Sequence, residues 1–459
     1  MGRKEKGDFV SSSQKLMTSG SIWKQMLVFA IPICVGNLFQ QLYNTADSFI
    51  VGNYLGSQAL AAVASSGNLI FMMTGFVSGM AMGAGILIAR YFGAGRKEEL
   101  QEIVHTSIAL ALVIGIVMTA LGVGLTPFIL KLMGTPENVM PQSMLYFAIY
   151  FSGSLWVVLY NFLSEIMRAV GNSKSPLYYL AISSVINILL DIVFIAHLGM
   201  GVEGAGWATV ISQLISAILS MREMIFTDAI YKVHFKKIKL HMNYAREILH
   251  YGLPTGVQNS IISISNVIIQ SHINSFGDMA MAGCGVFVKI EGFVFLPIMA
   301  FNMAISTFVS QNIGAKQLDR AKKGAWFGIA CSMVLAEMIG IFFFIYAPQW
   351  IGLFDRTPEV IAFGAGRAKV DSLFFFLLAY SHAASSVIRG SGKPKVPMYV
   401  MMICWCMVRV VVLGAVMPFY HEIMIVNWIY PFTWFLSSVY FVYYHKTKMW
   451  KDVNLQKVS

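Results

Sequence analysis

Residues 31–47 read IPICVGNLFQQLYNTAD and residues 253–269 read LPTGVQNSIISISNVII, so Pro32, Asn37 and Asn44 return as Pro254, Asn259 and Asn266, each 222 positions later. Gly56 answers Gly277, Ala59 answers Ala280, Gly93-Ala94 answers Gly314-Ala315, and Thr135-Pro136-Glu137 answers Thr357-Pro358-Glu359. Further along, Arg168, Gly171, Lys174 and Pro176 return as Arg389, Gly392, Lys395 and Pro397. Breakers and interfacial residues carry more weight here than shared Leu and Val, which coincide in any two apolar segments; their reuse at one period marks a duplicated unit. Parallel repeats about an axis along the membrane normal are a transporter layout, with substrate handled where the halves meet. A doubled, purely structural bundle would carry the same signature.

The environment follows from composition. Of 459 residues 57% are hydrophobic and 12% charged, against about 25% charged in soluble domains. Apolar stretches long enough to cross a bilayer, roughly 20 residues each, fall near 22–46, 58–82, 103–126, 142–163, 174–197, 204–221, 247–271, 280–304, 325–347, 370–388, 396–418 and 424–444. The expectation is an all-α polytopic membrane protein with twelve transmembrane helices in two pseudo-symmetric six-helix lobes. Its parts are a leader (1–21), an amino-terminal lobe (22–221), a linker (222–246), a carboxyl-terminal lobe (247–445) and a tail (446–459).

Basic residues test that count. Arg3, Lys4, Lys6, Lys15 and Lys24 precede the first span; Arg90, Arg96 and Lys97 follow the second; Arg168 and Lys174 follow the fourth. Arg222, Lys232, Lys236, Lys237, Lys239 and Arg246 join the halves. The second half repeats the alternation with Lys316, Arg320, Lys322 and Lys323, then Arg389, Lys393 and Lys395, then Lys446, Lys448, Lys451 and Lys457. The opposite connections hold only Lys131, Arg356, Arg367 and Lys369. By the positive-inside rule both termini and the linker are cytoplasmic. The net charge of +11 is thereby explained without a nucleic-acid partner.

Several functions lose ground. The first span is too long for a cleaved signal peptide and no small-residue cleavage pattern closes it. Cys34, Cys284, Cys331, Cys404 and Cys406 all lie in spans and read as small buried hydrophobes. Neither a Walker sequence nor a hydrolase elbow is present, and His272 and His382 lack a ligand set around them, so an enzyme is not expected. Transport would be driven by a gradient and would need no cofactor.

Asp47, Glu165, Asp191, Lys289, Glu291, Glu337 and Arg409 are charged residues inside spans, where an ionisable group is costly unless paired or wet. Asp191 follows Asn187 by four, so both project from one helix face. Asp47 has the same chemistry near the outer end of the first helix, and Thr209 adds a hydroxyl from the sixth. Two carboxylates with Asn and Thr oxygens can replace a cation's hydration shell or share a proton. Alternatively, Asp47 and Asp191 cap helix ends at the outer interface.

The stretches Leu42-Tyr43-Asn44-Thr45-Ala46-Asp47, Gly52 with Leu55-Gly56, Ala59-Leu60-Ala61-Ala62-Val63, Arg168-Ala169-Val170-Gly171-Asn172 and Arg389-Gly390-Ser391-Gly392-Lys393-Pro394 carry a family resemblance over residues 20–445. The chain resembles the multidrug and toxic compound extrusion (MATE) family within the MOP superfamily, and its bacterial DinF-like and MepA-like branch. The resemblance implies a MATE-like fold and an antiporter of the bacterial cytoplasmic membrane, expelling cationic amphipathic compounds in exchange for Na+ or H+ by alternating access. It places the coupling cation at Asp47, Asn187, Asp191 and Thr209, the four positions reached from chemistry. Some members carry a Glu on the seventh helix after the Gly-Leu-Pro segment, here Gly252-Leu253-Pro254; this chain has Ile262 there. A monomer in contact with membrane lipid is expected.

Pro32 removes a backbone hydrogen bond from the first helix and is the expected flex point. Substrate-cavity candidates are Gln40, Gln41, Tyr43, Asn68, Met72, Met73, Tyr160, Asn161, Asn259 and Gln270; with 29 methionines the chain has the adaptable side chains a multidrug surface uses. Met and aromatic residues equally fill packing positions. Glu165 precedes Arg168 by three, which reads as a local ion pair, and His382 reads as a bundle histidine. Glu291 and Lys289 cannot pair along one helix face, and Asp47 and Asp191 face Ile269 and Leu413 in the repeat. The alternative function is a flippase for a lipid-linked saccharide, which would place several basic residues at membrane depth.

Overall fold

A computed structural model describes residues 17–132, 135, 137–451 and 453. The basic residues before Met17, Pro136 of the repeat and Lys457 of the tail lie outside the described residues. Regular structure among the described residues is helical. The first half runs α1 (Ile22–Leu55), α2 (Ser57–Ala94), α3 (Lys97–Leu132), α4 (Met140–Ser152), α5 (Ser154–Ala169), α6 (Lys174–Asp191) and α7 (Val202–Phe226). The second runs α8 (Met242–Asn274), α9 (Asp278–Gly314), α10 (Leu318–Ile345), α11 (Ala347–Gly352), α12 (Pro358–Ser372), α13 (Phe375–Gly390), α14 (Lys395–Met401), α15 (Val408–Val416) and α16 (Ile423–Thr447). A π-helical turn at Ile192–His197 extends α6, and another at Met402–Met407 joins α14 to α15.

Nine helical segments among the described residues are long and apolar enough to cross a membrane, and the α4–α5 pair, bent by 45° at Gly153, makes a tenth. The expected spans near 247–271 and 370–388 fall on α8 and on α12–α13. There Gln258, Asn259, Ser260, Ser263, Ser265 and Asn266 dilute the apolar run of α8, while Glu359, Arg367, Lys369 and Asp371 charge α12.

Repetition in sequence is repetition in backbone. Gly56 and Gly277 precede α2 and α9 with φ of 83° and 93° and ψ of −177° and 178°. Only a residue without Cβ adopts that conformation cheaply, so the two helices begin with the same forced turn. Gly171 and Gly392 are again alike in positive φ. At the next matched position Gly95 has φ 74°, whereas its counterpart Lys316 takes φ 59° with a side chain in place.

Two compact units divide the chain, and the division falls inside helices. One holds Val35–Gly256; the other holds Met17–Cys34 and the chain from Val257 onward. The breaks after Cys34 and after Gly256 are 222 residues apart (256 − 34), and each lies two residues beyond the matched prolines Pro32 and Pro254. The start of α8 therefore belongs to the first unit, and the start of α1 to the second.

Within the first unit α8 meets α2 backbone to backbone. A Cβ on Gly79 would stand 2.4 Å from the Gly256 nitrogen, and one on Gly83 2.4 Å from that of Gly252. Small residues let helices approach this closely where no hydrophobic drive separates protein from lipid. Segment 227–241 also docks on this unit. Gln101 donates to the Ile230 carbonyl, His234 N–H donates to His105 Nε2 at 3.0 Å, and His241 N–H donates to Thr106 Oγ1 at 3.4 Å. The Glu223 carboxylate accepts from Asn172, Ser175, Tyr179 and Tyr231, tying the α5–α6 turn and this segment to the end of α7. In the second unit, α9 packs against α10, α12 and α13. Met26, Phe29, Ala30 and Ile33 from the start of α1 share its apolar core with Ala300 and Ala304.

Candidate functional site

Asn187 and Asp191 occupy the last turn of α6, four residues apart and both within 1% of full burial. The π-helical turn begins at the next residue; such irregular turns are frequent at functional sites because they shift the side-chain register. Asp47 reaches the same place from the half of α1 that belongs to this unit. Its carboxyl group and that of Asp191 face each other within interaction range.

Apart from each other, the two carboxyl groups find no hydrogen-bond partner among the described residues for Asp47 Oδ1 or either oxygen of Asp191, and neither amide atom of Asn187 has one. Two facing carboxylates repel when both are ionised, and buried polar groups normally find partners. A proton or a hard monovalent cation placed among these oxygens would remove both costs. Thr209 is buried on α7, which packs along α6, and its carbonyl accepts from Ser212 Oγ at 2.8 Å. Among the described residues no three His, Cys, Asp or Glu cluster as a metal site would require.

Tyrosines complete the surroundings. Tyr146 on α4 lies in electrostatic reach of both Asp47 and Asp191, with Tyr150 and Tyr43 beside it. The Tyr43 hydroxyl sits by Gln40 and Gln213. Tyr146, Tyr150 and Gln213 were not among the sequence-derived candidates. Their available signal was the spacing of four between Tyr146 and Tyr150 in a span, where each hydroxyl needs a polar partner.

The cavity candidates divide between the units. Gln40, Gln41, Tyr43, Met72, Met73, Tyr160 and Asn161 belong to the first, Asn259 and Gln270 to the second. Asn68 lies in α2, and its side-chain surroundings are outside the described residues. Tyr160 donates to the Pro176 carbonyl at 3.1 Å, Asn161 to the Val157 carbonyl at 2.8 Å, and Gln270 to Asn274 Oδ1 at 2.9 Å. Met73 is buried and its sulfur accepts from Ser154 Oγ at 3.6 Å. Met72 is half-buried and Gln40 exposed. Pro32 is buried in α1.

Other charges have local partners. Glu165 pairs with Arg168 at 3.1 Å. Glu337 accepts the Phe376 N–H at 3.0 Å and so caps the start of α13 from α10. His382 is edge-on to Trp405 and Phe295, and its Nε2 has no hydrogen-bond partner among the described residues. Lys289 is exposed while Glu291 is buried, as opposite helix faces require.

Arg367 corrects the sequence reading. Expected in a connection, it is 2% exposed in α12 and joined through Nε to Asp371 Oδ2 at 3.3 Å. Its guanidinium lies 5.4 Å from the Phe287 ring centroid and 4.6 Å from that of Tyr430. Arg409 lies 4.5 Å from the same Tyr430 centroid and donates to Thr433 Oγ1 at 3.0 Å. Glu291 lies in electrostatic reach of both arginines. Ion pairing and aromatic faces let these cations stay inside, where counting basic residues along the sequence would put Arg367 in water. The counterparts of Asp47 and Asp191 in this unit, Ile269 and Leu413, are fully buried in its apolar core.

Comparison with known proteins gives a consistent frame. A family model described as MatE matches residues 32–193 and 254–413. The probable multidrug resistance protein YoeA of Bacillus subtilis is 28% identical over 449 residues, covering 95% of this chain and 96% of that one. The probable multidrug resistance protein NorM of Thermotoga maritima is 25% identical, with 89% and 88% covered. A solved structure described as the outward-facing conformation of a multidrug resistance MATE family transporter of the MOP superfamily superposes with TM-score 0.89 at 20% identity, covering 98% of this chain and 100% of that one.

Proposed function

The chain belongs to the MatE family, and from that premise we propose that its first unit is the seat of ion coupling in a multidrug efflux transporter. As a family member it is a secondary active transporter working by alternating access, and not an enzyme. The coupling ion is Na+ or H+, and the exported compounds are small cationic amphiphiles. Counting α8 and α12–α13 as spans completes six and six. The alternation of basic residues supports cytoplasmic termini in a bacterial inner membrane, and a monomer suffices because both repeats are in one chain.

The observation that carries the reading is the facing pair Asp47 and Asp191, whose oxygens find no partner but each other, with the unpartnered Asn187 amide beside them. Two ionised carboxylates at membrane depth repel and are poorly solvated. Entry of Na+ or H+ from outside neutralises them and lets α1 shift about Pro32, which lacks a helical hydrogen bond. If drug and cation favour opposite arrangements, each weakens the other's binding by the same factor. The charged cluster of the second unit sets two arginines against two carboxylates, Asp371 and Glu291, so it does not offer the unneutralised cations a saccharide-lipid flippase would use.

The test is ethidium efflux from vesicles driven separately by a Na+ jump and by a pH jump. Asp47→Asn and Asp191→Asn are expected to abolish the gradient-driven part while leaving drug binding measurable. Full gradient-driven efflux by either variant would sink the assignment.

A further inference from the structure

Between α5 and α7 of the first unit runs a surface groove of about 350 Å³ lined by Trp156, Leu159, Ala217, Ile218, Met221, Arg222, Ile225 and Phe226. Arg222 excepted, every lining side chain is apolar, and α7 is one of the membrane-crossing helices. Ile218 is 54% and Phe226 77% exposed. Such a trough at membrane depth presents itself to hydrocarbon, and Arg222 stands in its wall, four residues before the last residue of the helix.

Arg222 is exposed and has no ion pair or hydrogen bond among the described residues. Arg96, Arg168, Lys232, Lys322 and Arg367, in contrast, each hold a carboxylate. The neighbouring acid forms no ion pair with it: the Glu223 carboxylate turns to Asn172, Ser175, Tyr179 and Tyr231 instead. A long basic side chain at a helix end extends its stem over apolar surface and its charge to the headgroup layer. The α5–α7 groove is thus an apolar channel with one guanidinium in its wall that no carboxylate pairs.

We propose that this groove is a binding site for an anionic phospholipid, with one acyl chain lying along Ile218, Met221, Ile225 and Trp156 and the phosphate held by Arg222. An arginine fork binds phosphate oxygens in two parallel hydrogen bonds. Attraction of an anionic headgroup by one basic residue near the surface is worth about 1 kcal/mol, or about fivefold in affinity. Acyl contact supplies the rest and is independent of headgroup charge.

Native mass spectrometry of the detergent-solubilised full chain, titrated with phosphatidylglycerol or phosphatidylcholine of identical acyl chains, tests the site without reference to transport. Wild type is expected to retain phosphatidylglycerol about fivefold more tightly. Arg222→Gln should abolish that preference and leave the weaker acyl-driven binding of both lipids. Ile218→Trp, which fills the groove from an exposed position and so leaves the core intact, should lose both. Equal affinity of wild type for the two lipids would overturn the proposal without any variant being made. So would an Arg222→Gln protein that keeps the preference, an Ile218→Trp protein that binds normally, or displacement of the lipid by inorganic phosphate alone, which would mark a free-anion site.

Discussion

Arg367 and Asp371 stand one helical turn apart in α12, joined at 3.3 Å, with side chains 2% and 0% exposed. Removing one member of a buried pair strands the other, at a cost of about 3–5 kcal/mol, whereas replacing both by apolar residues of similar volume is often close to neutral. Arg367→Met should therefore lower thermal stability sharply. Arg367→Met combined with Asp371→Leu should recover most of the loss in the same melting assay.

Tyr146 is the hydroxyl that the fold brings to the acidic pair. Tyr146→Phe, which removes a polar hydroxyl from beside the two acids, should raise the cation concentration for half-maximal efflux by a few fold. The basis is electrostatic, since Tyr146 stands in reach of both carboxyl groups without a hydrogen bond to either; the drug concentration dependence should stay unchanged. A shift in drug dependence alone would assign Tyr146 to the substrate instead.

His105 fixes segment 227–241 only as a neutral imidazole. Its Nδ1 donates to the Gln101 carbonyl at 2.6 Å while Nε2 accepts from His234 N–H at 3.0 Å, so a proton on Nε2 removes the acceptor. His234, Lys237 and His241 are the charged or titratable groups facing it from that segment. Amide exchange at His234 should rise by about tenfold or more in His105→Phe, reflecting loss of about 1–3 kcal/mol of local protection. In wild type the protection factor, taken against the intrinsic rate at each pH, should fall as pH falls, and that dependence should vanish in the variant.

Lys316 holds the left-handed conformation that its counterpart Gly95 holds without a side chain. The conformation costs an L-residue about 1–2 kcal/mol, against roughly 0.5–1 kcal/mol of extra chain entropy lost by Gly. Lys316→Gly should thus be stabilising by up to about 1.5 kcal/mol, read as a higher melting temperature.

What the sequence made legible was local. Gly56, Gly277, Gly171 and Gly392 were marked by their repeat spacing, and each takes positive φ. Asn187 and Asp191 share a face because helical geometry requires it. Less was legible wherever a partner distant in sequence decides the outcome. Arg367 is kept from water by rings on α9 and α16, and no count of basic residues along a chain registers that. Tyr146 earns its place from the approach of α1 and α6, and the unit boundaries inside α1 and α8 depend on which neighbours each half-helix finds.

Those boundaries bear on ancestry and assembly. A half-length chain ending at Phe226 would lack residues 242–256, whose Gly252 and Gly256 lie against Gly83 and Gly79, and would keep residues 17–34, which belong to the other unit's core. Neither half could close its own interior unaided. The two would have to trade helix beginnings, in the manner of strand-exchanged dimers, before either was complete. Fusion into one chain turns that trade between molecules into a step within one, so residues 227–241 act as the tether that raises the local concentration of each half for its missing piece.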